Sequence, residues 1–465
     1  MKKNRQMLPS KSHINLFFVI FSFLWAVFTY AQNQQFPGIP EFKAPVPSPL
    51  LGSFNQPSAN RNQPQLPTPI YPQRNNYTER QYRAEIQNVE RNEALRTQSI
   101  RDMESDIEQH LSALKYNFPS HYNKEGAKLY YDTFKAMQSV DPDNYSIKDI
   151  NFGIENAFTA NTENKAEFDK IIKETGQFLK AKMKELGYDS NSNLAKNYIL
   201  FQFFSETLQL KATGQKHFPF KYDFNDYMGK KDWSNMFVSK LIRSGTGQCH
   251  SMPILYLILA EEIGAVSYLS FSPNHSYIKF QDERNKWYNL ELTNGMFTTD
   301  SFILNSGFIK SEALQNQIYM QPLSKRQLLS QSYVDLAAGY FHKYGYDQFV
   351  EVTLNMALEL YPNNINANKL KANYYTDLLF YVTRQLGINP EKREELVKIK
   401  DNPAAMAILI KTQQQYRLMD ESGFEYMPAD AYEKWLQSLN NEKNRQNNET
   451  FSKQFKGLLK TKVKQ

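Results

Sequence analysis

One cysteine, Cys249, stands in the 465 residues. It follows a Gly-x-Gly turn, Gly245-Thr246-Gly247, and precedes an apolar stretch, 252–263, that reads as a helix ended by Gly264. Backbone amides left unpaired at a helix start favour a thiolate and can bind a developing oxyanion. His275 opens a β-like run, 275–280, and Glu291 lies on a second run, 286–292, across a polar turn at 282–285. An imidazole can take a thiol proton and later return it to a leaving amine. A carboxylate on the far side of that imidazole fixes its tautomer and orientation. Cysteine, histidine and acid in this order are the makings of acyl transfer from an amide through a thioester.

The hairpin sets a geometric expectation. If residues 282–284 close the turn, Gln281 pairs with Asn285, His275 lies opposite Glu291, and Tyr277 lies opposite Asn289. Paired residues share a face with Cβ atoms about 5 Å apart, whereas a slip of one residue would turn Glu291 away. Asn289 shares that face and stays a candidate for the orienting group, with pairing in favour of Glu291. Gln248 is a candidate oxyanion donor, through its amide or its side chain. Adjacent helix residues point about 100° apart, so His250 is expected to face outward or line the cleft rim. A zinc site through Cys249, His250 and His275 would have neither a Cys-pair nor a His-pair spacing, and no metal or cofactor is expected. A free cysteine is commonly a small buried hydrophobe; the glycine turn before Cys249 argues against that.

The elements that must position these residues point to an α+β fold. Helices are expected over 78–114, the first long and exposed, and over 124–139, 165–186 and 194–210, the last apolar enough to be buried. A further β-like run covers 265–271. Residues 331–362 fit one 34-residue helical-hairpin repeat of tetratricopeptide type, whose pattern fades in the next copy. The organisation read from this is a helical region at 77–210, a mixed core at 211–325, a helical domain at 326–440 and a basic polar tail at 441–465.

The residues from Gly245 to Gly295 resemble the transglutaminase-like superfamily, a branch of the papain-like cysteine fold. The resemblance rests on Gly247-Gln248-Cys249, on His275-Ser276-Tyr277, and on the run Trp287-Tyr288-Asn289-Leu290-Glu291-Leu292-Thr293. It implies Cys249 as nucleophile, His275 as base and Glu291 as third member, with a cysteine helix packed on a small antiparallel sheet. Glutamate stands where that family has aspartate, one methylene longer, and Pro253 sits in the first turn of the cysteine helix, where a missing amide is tolerated.

The ends of the chain bear on location. Lys2, Lys3, Arg5 and Lys11 precede an apolar run, 16–28, and Ala31 closes a small-residue cut site, as in a secretory signal. The run is shorter than the roughly 20 residues that span a bilayer, so cleavage, without a lasting membrane span, is expected over an N-terminal anchor. Removing residues 1–31 lowers the formal charge from +7 to +3, and the lysines of the tail suit a solvated helix end, so no nucleic acid is expected as a partner. Residues 32–76 carry ten of the 21 prolines among Gln, Asn and Ser, a linker composition. A secreted or periplasmic protein acting on a protein or peptide substrate is the expectation, as an amide hydrolase or a cross-linker. The alternative is a catalytically silent scaffold whose helical regions bind a protein partner in the cell envelope.

Overall fold

In the computed structural model, which describes residues 83–92, Leu95, Gln98, 116–390 and 392–445, the chain is α+β. The signal (1–31), the linker (32–76) and the tail from 446 onward lie outside the described residues. Residues 83–92 are helical and exposed, a portion of the long exposed helix expected over 78–114.

Side-chain caps fix where the next helices begin. Ser146 caps α2 (Ile147–Phe158), which follows α1 (Ala127–Gln138); Asn164 caps α3 (Lys165–Leu186) and Ser192 caps α4 (Asn193–Ser205), each accepting a bond from an orphan amide of the first turn. Helix α4 stops five residues short of the expected 210, because Glu206 turns extended and the chain enters β1 (Leu208–Gln209), paired antiparallel with β2 (Lys216–His217). Then β3 (Lys221–Tyr222) pairs in parallel with β4 (Thr246–Gly247), which lies just beyond α5 (Val238–Ser244). Gly245 ends α5 in the left-handed conformation, φ 68°, as glycine allows.

Helix α6 (Ser251–Ile263) is apolar on nearly all sides, and Ser251 through Ala260 are all buried. A helix of that kind belongs to a core. It packs against α3, α4 and α5, and its end meets a four-stranded antiparallel meander: β5 (Tyr268–Ser272), β6 (His275–Gln281), β7 (Trp287–Glu291) and β8 (Met296–Thr298). After the short helices α7 (Asp300–Leu304) and α8 (Ser311–Gln315), the expected hairpin at 331–362 takes shape as α9 (Lys325–Tyr344) and α10 (Gln348–Leu360). They are followed by α11 (Ile365–Gln385), α12 (Pro403–Glu421) and α13 (Ala429–Arg445). A single apolar cluster takes in Tyr130 of α1, Leu257 of α6, Ile278 of β6, Leu336 of α9 and Leu436 of α13, so the C-terminal helices share their core with the sheet. Among the described residues no helix is long and apolar enough to cross a membrane.

The hairpin register departs from the expectation by two residues. Gln281 pairs with Trp287 and Ile278 with Leu290, and the loop is 283–285 rather than 282–284. The Asp282 carboxylate accepts from the amides of Arg284 and Lys286, both at 2.9 Å, and Asn285 takes the left-handed position at φ 62°. A three-residue loop ending in that conformation is a favoured hairpin closure, and asparagine tolerates it. Extended along the ladder, this register sets Glu291 opposite Tyr277, and His275 opposite Thr293. A shift of two keeps every side chain on its expected face.

Candidate active site

Cys249 lies in the turn between β4 and α6, and three constraints hold that turn. The β3–β4 pairing binds it from behind, with the amide of Asp223 donating to the Gly247 carbonyl at 2.9 Å. Gly247 is packed so closely that a Cβ there would stand 2.8 Å from Leu241 Cδ1 and 2.8 Å from Ser251 Oγ. The Ser276 hydroxyl donates to the Cys249 carbonyl and ties β6, one residue beyond His275, to the turn. The Cys249 side chain is partly buried, and its backbone amide donates no hydrogen bond among the described residues.

His275 begins β6 and is 4% exposed; Glu291 ends β7 and is 3% exposed. His275 Nε2 is 2.7 Å from Glu291 Oε2, and the second carboxylate oxygen accepts from the Thr293 amide at 2.8 Å. At the other ring nitrogen, Nδ1 lies 3.2 Å from the Tyr432 hydroxyl, which in turn donates to Cys249 Sγ at 3.7 Å, so the tyrosine links imidazole and sulfur. Burial pulls the His275 pKa down, but Glu291 and Cys249 outweigh it and hold the ring protonated up to about 10. Burial pushes the Cys249 thiol up, yet His275 and the hydroxyls of Tyr432 and Tyr222 bring it below its ordinary value. Burial likewise raises Glu291, and His275 and Thr293 carry it below the usual carboxylate range. Each direction favours the charged form: thiolate, imidazolium and carboxylate.

A roof over the pair comes from α13. The Tyr432 hydroxyl donates to Cys249 Sγ at 3.7 Å, and the Trp435 ring stands edge-on to His275 with centroids 4.6 Å apart. Two contacts anchor the helix there: Asn274 Nδ2 donates to the Met427 carbonyl at 3.0 Å, and Asn294 Nδ2 donates to the Leu439 carbonyl at 2.5 Å. Tyr222 on β3 has a buried hydroxyl with no hydrogen-bond partner among the described residues, and burial, with the charge of Cys249, raises its pKa. Nothing in the sequence marked Tyr222, Tyr432 or Trp435, which are two of 29 tyrosines and one of four tryptophans and lie far from the motif.

The remaining candidates fall elsewhere. Asn289 pairs with Lys279 and donates through Nδ2 to Asp300 Oδ1 at 2.7 Å, so of these two candidates it is Glu291 that reaches the imidazole. Gln248 is fully buried; its amide donates to Ser251 Oγ at 3.0 Å and its Nε2 donates to the Asp226 carbonyl. The backbone amide and one N–H of the side chain are thus engaged inside the protein rather than turned to the sulfur. The His250 ring meets Asp335 of α9 and the Met236 carbonyl.

Compared with known proteins, the chain matches no family model and no curated protein. One solved structure, described as "Crystal structure of menin reveals the binding site for Mixed Lineage Leukemia (MLL) protein", aligns over 66% of this chain and 76% of that chain, at 11% identity and a TM-score of 0.27. A likeness that slight carries no argument about fold or function.

Proposed function

We propose that this is an exported protein with a transglutaminase-like, papain-like core that performs cysteine-dependent acyl transfer on an amide bond. The observation that carries the reading is the buried His275 ring, held by Glu291 at 2.7 Å on Nε2 and joined through Nδ1 to the Tyr432 hydroxyl, which donates to Cys249 Sγ. The signal-like residues 1–31 support export. In the reaction the Cys249 thiolate attacks the amide carbonyl, and the helix-start amides, including the free amide of Cys249, receive the oxyanion. The His275 imidazolium gives its proton to the leaving amine, and a thioester remains. The now neutral ring takes a proton from the incoming acceptor, water for a hydrolase or an amine for a cross-linker, and the acyl group leaves the sulfur. Glu291 stays ionised throughout and holds the ring in place. Turnover of an amide-linked peptide library by the mature protein, lost in Cys249→Ala, tests this reading; equal turnover by wild type and Cys249→Ala contradicts it.

A second reading rests on the roof. Tyr432 and Trp435 close over a His275 that is only 4% exposed, which favours a silent site and a protein-binding role for the helical regions. The two separate on thiol chemistry: a silent scaffold has a Cys249 that titrates as an ordinary buried thiol, whatever stands at position 275.

A further inference from the structure

The residue after the nucleophile, His250, holds both of its ring nitrogens against acceptors. Nδ1 lies 3.0 Å from the Met236 carbonyl oxygen, and Nε2 lies 3.1 Å from Asp335 Oδ2. A neutral imidazole has one N–H and cannot donate in both directions, whereas the imidazolium can. Asp335 is in turn fixed from α9 and α11: Gln331 Nε2 donates to its other oxygen at 2.9 Å, and Asn366 Nδ2 donates to Gln331 Oε1 at 3.1 Å. His250 also stands at the N-cap position of α6. The other charged group on the same cavity is Glu155 of α2, whose carboxylate is already taken by the amides of Val238 at 2.6 Å and Ser239 at 2.9 Å. Asp335 is thus the one carboxylate among the cavity residues seen against the His250 ring.

We propose that His250 is a positioning residue for the thiolate: a second imidazolium, fixed by Asp335, that adds a positive charge at the residue next to Cys249 and couples the C-terminal helical hairpin to its reactivity. This rests on the thiolate–imidazolium reading of Cys249 and His275. It gives the helical region a part in the chemistry, because Asp335 of α9 is the carboxylate that helps hold the charge on His250. Burial pulls the His250 pKa down, but Asp335 and the Met236 carbonyl raise it to about 9, so the ring keeps its charge at neutral pH.

The test follows the rate of iodoacetamide alkylation against pH for the full mature protein, in wild type, His250→Gln, Asp335→Asn and His275→Ala, with the fold of each checked by circular dichroism. In His250→Gln the thiol titration moves up by about half a unit to one unit, the size of effect a partly exposed neighbouring charge has. Asp335→Asn, which removes the acceptor and leaves the ring, moves it in the same direction by less. The double variant His250→Gln/Asp335→Asn goes no further than His250→Gln, because the carboxylate acts through the ring. Unshifted titrations in both single variants, with His275→Ala still raising the thiol pKa, overturn the role of His250 and leave the acyl-transfer reading standing. An unshifted titration in His275→Ala as well overturns both.

Discussion

Glu291 reaches His275 along a diagonal. The ladder sets Glu291 opposite Tyr277, two residues along β6 from His275, yet its Oε2 lies 2.7 Å from the imidazole Nε2. Diagonal neighbours on one face of a sheet are separated by roughly 7–8 Å between backbones, within reach of a long side chain. The extra methylene of glutamate over aspartate therefore has a geometric use: it spans the offset that the 283–285 loop creates. The Thr293 amide holds the other oxygen and aims the carboxylate.

That reach makes the charge of Glu291 testable by itself. Glu291→Gln keeps the length of the side chain and removes its charge, so His275 loses its largest source of imidazolium stabilisation. Alkylation of Cys249 near pH 6 should fall, and amide turnover should drop on the order of 10²- to 10⁴-fold, as when the acid behind a catalytic histidine is neutralised. Glu291→Asp should be nearly as poor in turnover, because it is one methylene too short for the diagonal. Rates for Glu291→Asp equal to wild type would contradict the geometry.

The same pair dictates how stability depends on pH. The Glu291 pKa is lowered on folding, so its contribution is present above its unfolded value of about 4.3 and is lost as pH falls through the folded value. The His275 pKa is raised, so its contribution is complete below about 6.5 and is lost as pH rises through about 10. The difference in melting temperature between wild type and Glu291→Gln should therefore be largest between about pH 4.5 and 6.5 and shrink on both sides. Near its maximum it should correspond to about 3–5 kcal/mol, the usual cost of breaking a buried pair. A difference independent of pH would mean that shape, not charge, is what the substitution changes.

Tyr432→Phe removes one hydroxyl that faces both the sulfur and Nδ1. One such bond is worth about 1 kcal/mol net, so the thiolate-dependent alkylation rate at pH 6 should fall about fivefold while the fold is kept. A rise in rate for iodoacetamide would instead identify Tyr432 as an obstruction rather than a donor.

Gly247→Ala places a methyl group 2.8 Å from both Leu241 and Ser251. Overpacking of this kind costs about 1–3 kcal/mol, and here the strain falls on the turn that carries Cys249. Chemical denaturation should show the loss, and alkylation should slow even where the protein is fully folded. Normal reactivity with reduced stability would separate the packing of the turn from the placement of the sulfur.

The local elements were legible in the sequence because they are carried by local patterns. The period-2 runs around His275 and Glu291 and the all-apolar stretch after Met252 each map onto one element, Gly-x-Gly before Cys249 marks the passage from α5 into β4, and the parity of the strands survived the two-residue error in register. That error arose in a single loop, where Asn285 accepts a left-handed backbone and Asp282 binds two amides. What the sequence did not reveal is contact between distant segments. Tyr432, Trp435 and Tyr222 carry no local signature, and Asp335 sits inside a helix that reads as a repeat. Asn289 and Glu291 were separable only once Asp300 was seen to take the Asn289 amide. Gln248 is fully buried, with its backbone amide on Ser251 and a side-chain N–H on the Asp226 carbonyl, contacts that no local pattern announces.

The central claim is that His275 makes the Cys249 sulfur a thiolate, and alkylation by iodoacetamide from pH 5 to 9 measures it directly. The account predicts a reactive fraction that persists well below the free-cysteine pKa of about 8.5 and disappears in His275→Ala. A slow thiol that titrates at its ordinary pKa in wild type, unchanged in His275→Ala, would contradict it.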